Sequence, residues 1–275
     1  MIEIDTGTEE LLCTIEDRVA SITLNKPHKK NALGDILTPA LRQTLAQLEN
    51  DERAGAVMIT GAGDAFCAGG DISGMGSGAK KTDSAEPTPT DQERIKNLIE
   101  KQKSLTKRIH ELNKITVAAL PGAAAGAGLS IALACDLRIA SDNAFVTTAF
   151  GNIGLSGDYG ASWFLPRLIG LAKAKELFYL SDRVGAEDCA RLGIFNKVFS
   201  QDTFRADAQA YVAKLANGPT NAFGRMKTNL NQGLDQDLDA SLRLEAEHLI
   251  ASMADPESKE AISAFMEKRK AIFHS

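Results

Sequence analysis

The sequence predicts an α/β fold on three observations. Short, continuous apolar runs at Ala56 to Thr60 and Thr116 to Leu120 have the length and composition of strands buried on both faces. A turn dominated by glycine and alanine follows each run, at Gly61 to Asp71 and at Pro121 to Gly128, and helical spacing resumes beyond each turn. From about Asp202 onward the pattern is helical alone. The expected organisation is a strand-and-helix core over residues 1–201 and a helical region over residues 202–275.

In chain order, Leu11 to Glu16 and Val19 to Leu24 read as two strands joined tightly at Asp17 and Arg18, with Ala20, Ile22 and Leu24 alternating toward one face. Asn25 to Gly34 is polar and turn-like. Its Lys26, Lys29 and Lys30 are either a solvated cluster or a phosphate contact. Leu37, Leu41, Leu45 and Leu48 then recur at helical spacing ahead of the strand at Ala56. Ser73 to Thr90 is rich in Gly, Ser, Thr, Pro and Lys without hydrophobic periodicity, which predicts a mobile surface loop able to act as a lid. Ile95, Leu98, Ile99, Leu105, Ile109 and Leu112 mark a long amphipathic helix that returns the chain to Thr116.

Pro121 to Asp136, PGAAAGAGLSIALACD, carries the sharpest functional signal. Its glycines free the backbone and its alanines keep the surface thin, so a ligand can touch main chain. A helix starting near Ala127 presents N–H groups without intrahelical partners at the positive end of its dipole. An oxygen that develops negative charge suits that position. The same small residues equally let a helix pack close to a sheet, and from this stretch alone both readings stand. Short strands near Leu137 to Ala140 and Phe145 to Thr147 follow, then a loop from Ala149 to Gly160 in which Asp158 reads as the N-cap of the next helix. Phe204, Ala208, Tyr211 and Leu215 mark one later helix, and Leu238, Leu242 and Leu249 another. The last has Asp255 as its cap, Pro256 at its first position, and Ile262, Phe265 and Met266 on one face. These helices have no sheet of their own, so subunit contacts or packing onto the core are both open to them.

Composition removes several function classes. With 275 residues, 44% of them hydrophobic, the chain can bury a full core. A formal net charge of −5 with scattered Lys and Arg argues against a nucleic-acid groove or a polybasic membrane patch. The acidic N-terminus lacks the basic and apolar regions of a secretory leader, and no segment approaches a membrane span. Four separated cysteines without a CxxC pair read as reduced core residues of a cytoplasmic enzyme. Four histidines show no ligand spacing, so no metal site is expected. The GxG at Gly61 lacks the third glycine and the acidic residue of a dinucleotide fingerprint, and no GK[ST] loop is present.

FCAGGDI at Phe66 to Ile72 and PGAAAGAGLSIALACD at Pro121 to Asp136, with LNKPHKKNAL near the N-terminus, resemble the crotonase (enoyl-CoA hydratase/isomerase) superfamily. The likeness continues through IGLSGDYG, LPRLIG at Leu165 to Gly170 and AFMEKRK at Ala264 to Lys270, in the superfamily's order and spacing. It implies a crotonase-like spiral of ββα units over residues 1–201 and a C-terminal helical trimerisation region. It also implies a homotrimer or hexamer and an acyl-CoA thioester substrate, with coenzyme A part of that substrate and no separate cofactor.

By motif position, the resemblance makes the backbone N–H groups of Gly70 and Ala127 the two donors of an oxyanion hole. It places Lys26, Ala65, Ala68 and Ile72 along the pantetheine and adenine, and Phe265 and Lys268 over the nucleotide site of an adjacent subunit. Met75, Phe150 and Trp163 would shape the acyl site. One departure bears on mechanism. Hydratases of this superfamily carry two glutamates where this chain has Ser130 and Ala149, so the usual water-activating dyad is missing and Ser130 would only contact the substrate. Asp158 remains, where some superfamily isomerases and a dehalogenase place a working aspartate. A lone carboxylate suits a 1,3-proton shift better than hydration. Dehalogenase chemistry is disfavoured because no histidine lies in the matching helix region. The remaining alternatives are a hydratase with a non-standard water site and a non-catalytic acyl-CoA binder.

Overall fold

A computed structural model describes residues 1–71 and 89–274. The chain opens with an antiparallel meander, β1 (Ile2–Ile4), β2 (Leu11–Glu16) and β3 (Val19–Leu24), followed by the helix α1 (Leu37–Glu49). Asp17 and Arg18, both at positive φ, make the two-residue turn between β2 and β3 that the right-handed strand twist favours.

Three successive turns of a spiral come next, each giving one strand to each of two sheets. The pairs are β4 (Ala56–Gly61) with β5 (Ala65–Cys67), β6 (Ile115–Leu120) with β7 (Ala123–Ala125), and β8 (Leu137–Ser141) with β9 (Phe145–Thr147). Between the first two pairs run α2 (Asp91–Gln102), one π turn, and α3 (Arg108–Glu111). Between the second and third runs α4 (Ala127–Ala134), starting at the residue where the sequence places it. After β9 come α5 (Ala161–Ile169), α6 (Leu171–Leu180), β10 (Val184–Gly185), α7 (Ala186–Leu192) and β11 (Lys197–Phe199). The large sheet has the order β1-β2-β3-β4-β6-β8-β11, parallel from β3 onward, and the small one the order β10-β9-β7-β5. These are the ββα units and the mixed α/β architecture expected.

Successive residues of the parallel strands serve opposite faces, as a period of two requires. Val57, Ile59, Ala118 and Leu120 join the main core between the sheets and the helices. Ala56, Met58, Val117 and Ala119 join a second cluster on the rear face. What covers the rear is α8 (Phe204–Ala216), through Phe204, Ala208, Val212 and Ala216. Of the two roles open to this helix it takes packing onto the core, and the buried stripe differs from the sequence reading in being rotated toward Val212 and Ala216, leaving Tyr211 and Leu215 at its edge.

Beyond it lie α9 (Thr220–Gln232), α10 (Leu238–Ala254) and α11 (Pro256–Met266). Asp255 caps α11 and Pro256 is its first residue, as expected. Leu238, Leu242, Leu249, Ile262, Phe265 and Met266 are all exposed in the single chain. The amphipathic helix before Thr116 is likewise only half covered: Leu105, Ile109 and Leu112 are buried, whereas Ile95, Leu98 and Ile99 face outward.

All eight residues of α4 are buried, so the helix ends need internal partners. At the C-terminal end the buried Arg138 donates to the carbonyl oxygens of Cys135 and Ile194, both at 2.7 Å. Beside it the Asp136 carboxylate accepts from the Thr116 N–H (2.7 Å) and from Lys227 Nζ of α9 (2.9 Å), which also reaches the carbonyls of Ile109 and Lys114. All four cysteines are free and buried. Among the described residues no helix is long and apolar enough to cross a membrane.

Candidate active site

The two glycine–alanine turns meet because β5 and β7 pair in parallel, Ala65 opposite Ala123 and Cys67 opposite Ala124. α4 comes so close to β5 that a Cβ at Gly128 would lie 2.4 Å from the Cys67 carbonyl oxygen and 2.7 Å from its Sγ. Only glycine fits there. Gly69 has φ +95°, and a Cβ on it would stand 2.9 Å from the Ala125 carbonyl oxygen and 3.5 Å from the Ala127 nitrogen. The turn at Gly69 and Gly70 therefore sits directly beside the first N–H of α4.

Leu33 bridges this turn: its N–H donates to the Gly69 carbonyl, and the Asp71 N–H donates to the Leu33 carbonyl, both at 2.8 Å. In that parallel pattern the N–H of Gly70 itself is not used. Ala127 is the first residue of α4, and its cap, Gly126, has no side chain to offer. Among the described residues neither N–H has an acceptor.

Asp158 stands beside the first turn of α4. The Ser130 hydroxyl, fully buried one turn on from Ala127, donates to the Asp158 main-chain carbonyl at 2.8 Å. The half-buried Asp158 carboxylate accepts from the Tyr159 N–H (2.7 Å) and from Gln102 Nε2 (2.9 Å), both on Oδ1. Among the described residues Oδ2 accepts nothing. Burial pushes this carboxyl above its ordinary value, against the pull of those two donors. The N-cap reading of Asp158 does not hold. Tyr159 and Gly160 both adopt positive φ, so α5 begins at Ala161 with Gly160 as its cap, and the aspartate side chain bonds the Tyr159 N–H and Gln102 instead of a first-turn N–H of α5.

The other expected site residues divide. Lys26 is near the turn, its Nζ 3.9 Å from Asp71 Oδ2 and 3.5 Å from Glu10 Oε1, and Lys29 pairs with the same Asp71 oxygen at 2.8 Å. Ala65 is buried in β5, and Ala68 is exposed on the turn. Phe150 is buried over the α4 cap: a Cβ at Gly126 would be 3.8 Å from its ring. Trp163 turns elsewhere, edge-on to His110 and under the Arg167 guanidinium, in a groove facing α9. Phe265, 81% exposed, sits in the last turn of α11, and Lys268 follows just after the helix ends. Ile72, Met75 and the lid expected at Ser73 to Thr90 lie outside the described residues through position 88; Thr90 caps α2.

Two contributors escaped the sequence reading. Asn31, fully buried, donates to the carbonyls of Ala62 and Ala65 and accepts from the Lys26 N–H, pinning the lysine loop to the first turn. Gln102 is the other. Its signal was a polar residue in a slot of the apolar stripe Leu98, Leu105, Ile109 and Leu112.

Comparison with known proteins fits this geometry. A family model described as enoyl-CoA hydratase/isomerase matches residues 14–275. The chain is 33% identical to 1,2-epoxyphenylacetyl-CoA isomerase of Escherichia coli K12, over 96% of this chain and 98% of that protein. It is 35% identical to a protein of Rhodobacter capsulatus named probable enoyl-CoA hydratase, over 94% of this chain and 95% of the other. Among solved structures, an enoyl-CoA hydratase from Polaromonas sp. JS666 superposes with a TM-score of 0.85 at 32% identity, covering 95% of this chain and 98% of that one.

Proposed function

The chain belongs to the enoyl-CoA hydratase/isomerase family and is an acyl-CoA enzyme of that family; we propose that it shifts a double bond in an enoyl-CoA thioester rather than hydrating one. The observation that carries this reading is the Asp158 carboxylate, with one oxygen held and the other open among the described residues, and Ser130 and Ala149 where the two glutamates of the hydratases stand.

In a 3-enoyl thioester, Asp158 Oδ2 takes a proton from C2. The C–H electron pair becomes the C1–C2 double bond, and the carbonyl π pair moves onto oxygen. The N–H groups of Gly70 and Ala127 receive that charge, each such donor being worth about 3 kcal/mol. Collapse of the oxygen pair re-forms the carbonyl, C2–C3 becomes the double bond, and the C3–C4 pair takes the proton from Asp158 at C4. No water, cofactor or metal enters the balance. The Escherichia coli relative is named for isomerising a CoA thioester, though an epoxide and not an enoyl one, so its name supports isomerase chemistry only in that broad sense.

Hydratase names among the relatives favour a second reading, hydration with water held by Asp158 or Ser130. The Ser130 hydroxyl weighs against it, because its one proton already serves main-chain carbonyls of Asp158 and Gly126. The test is turnover of matched 2-enoyl-CoA and 3-enoyl-CoA esters. Loss of the 3-enoyl ester without water uptake supports the proposal, and rapid hydration of the 2-enoyl ester with the 3-enoyl ester untouched sinks it.

Lys26 with Ala65, Ala68 and Ile72 would line the coenzyme A moiety, Ser130 and Phe150 the acyl end. Phe265 and Lys268 would reach a neighbour's nucleotide site in a homotrimer or hexamer, which suits their exposure and that of the α10 and α11 apolar side chains. Four buried thiols without a disulfide suit a cytoplasmic setting. Sedimentation at micromolar concentration should show a trimer or hexamer, and a stable monomer refutes the assembly. Lys268→Ala should weaken binding of a CoA ester and leave the oligomer intact.

A further inference from the structure

The stripe Leu98, Leu105, Ile109 and Leu112 passes through position 102, and a glutamine fills that slot. α2 ends at Gln102, and the chain enters a π turn at once. Such a turn inserts one extra residue and recurs at functional sites. The Gln102 amide is used on Asp158 Oδ1 at 2.9 Å, where the Tyr159 N–H converges at 2.7 Å. Both donors are themselves held by α1: Arg42 Nη2 donates to the Tyr159 hydroxyl at 2.9 Å, and its Nε to the carbonyl of Lys101, the residue before Gln102, at 3.2 Å.

We propose that Gln102 is a positioning residue that occupies Oδ1 of Asp158 and so leaves Oδ2 as the one oxygen that takes the substrate proton and returns it. The inference rests on the assignment of Asp158 as the proton-transferring group. A proton placed on Oδ1 would displace one of two donors; a proton placed on Oδ2 displaces none. One oxygen then serves both carbons, as a 1,3-shift by a single carboxylate requires. Among the described residues the charged and titratable groups around Asp158 are few: Tyr159 on its own loop and, behind the tyrosine hydroxyl, Arg42 of α1, while α4 offers only the neutral Ser130. Gln102 is therefore a main counterweight to burial, and without its donor the carboxyl rises further.

The experiment measures 3-enoyl-CoA isomerisation against pH for full-length wild type, Gln102→Leu and Gln102→Glu. Gln102→Leu should lower plateau kcat about tenfold with KM changed less than about twofold. The acid limb of its kcat profile should move up by about one pH unit, because a group that must be ionised to act then binds its proton more tightly. Gln102→Glu, nearly isosteric, should move the limb at least as far and carries the test alone if the leucine variant does not fold. A carbon-13 titration of the Asp158 carboxyl reads the same shift without turnover. Unmoved limbs with kcat within about twofold of wild type in the folded variants overturn the proposal. Asp158→Asn, assayed alongside, separates the two ideas. If it retains wild-type turnover, the catalytic reading fails; if it is inactive while the Gln102 variants behave as wild type, only the positioning role fails.

Discussion

Ala127→Pro should lower kcat on a 3-enoyl-CoA ester by about two to three orders of magnitude while the protein stays folded, since one oxyanion donor is worth about that much. Proline deletes the N–H and nothing else the helix uses. Position 127 is the first of α4, where proline is tolerated and the N–H has no intrahelical acceptor. The residue before a proline must avoid the right-handed helical region, and Gly126, at φ 50° and ψ −126°, already does. The first intrahelical bond, Ser130 N–H to the Gly126 carbonyl, does not involve residue 127. Circular dichroism should overlay on wild type. Ala127→Gly, which keeps the N–H, should retain most activity. A folded proline variant with wild-type turnover removes Ala127 from the mechanism, and Gly70→Pro asks the same of the facing turn.

Asp158→Asn should lower kcat by about 10²–10⁴, the usual range for losing a general base, with binding of a CoA ester preserved. The substitution is clean because the asparagine carbonyl oxygen can still accept from the Tyr159 N–H and Gln102. Ser130 grips the main-chain carbonyl at this position and does not sense the side chain. In wild type the rate should fall as pH drops through a midpoint above the ordinary carboxylate range, since burial raises the Asp158 carboxyl and only its ionised form accepts the proton. Unchanged specific activity in a less stable Asp158→Asn protein would make the residue structural.

Much of this was legible before any fold was known. Buried parallel strands announce themselves as unbroken apolar runs, and bare turns as glycine and alanine, so β4, β6 and the start of α4 could be read directly. A repeat of small residues also marks where two backbones must touch, as Gly128 against Cys67 does. The cap assigned to Asp158 failed because left-handed backbone at Tyr159 and Gly160 delays the helix, and no propensity rule foresees two such residues in a row. The role of α8 stayed open between subunit contact and packing onto the core because strands buried on both faces do not say what lies behind them. Amphipathic spacing likewise identified a face on α2 without saying that Ile95, Leu98 and Ile99 are uncovered in the single chain.

The Lys227 bond to Asp136 sets an order of events during synthesis. The two residues are 91 apart, so at translation rates of about 5–20 residues per second roughly 5–18 s pass between the appearance of the carboxylate and of its ammonium partner. Over that interval the carbonyls of Ile109 and Lys114 also lack the cation that joins them, and the rear of the large sheet lacks α8 until Ala216 has emerged. Breaking such a pair by withholding one partner costs about 3–5 kcal/mol. The nascent chain therefore holds all its described strands before the Asp136 carboxylate beside the central helix can meet its cation. That pairing waits until residue 227 has emerged, after β11 and α8, and a chain stalled near residue 201 presents an open sheet face to whatever chaperone or protease meets it first.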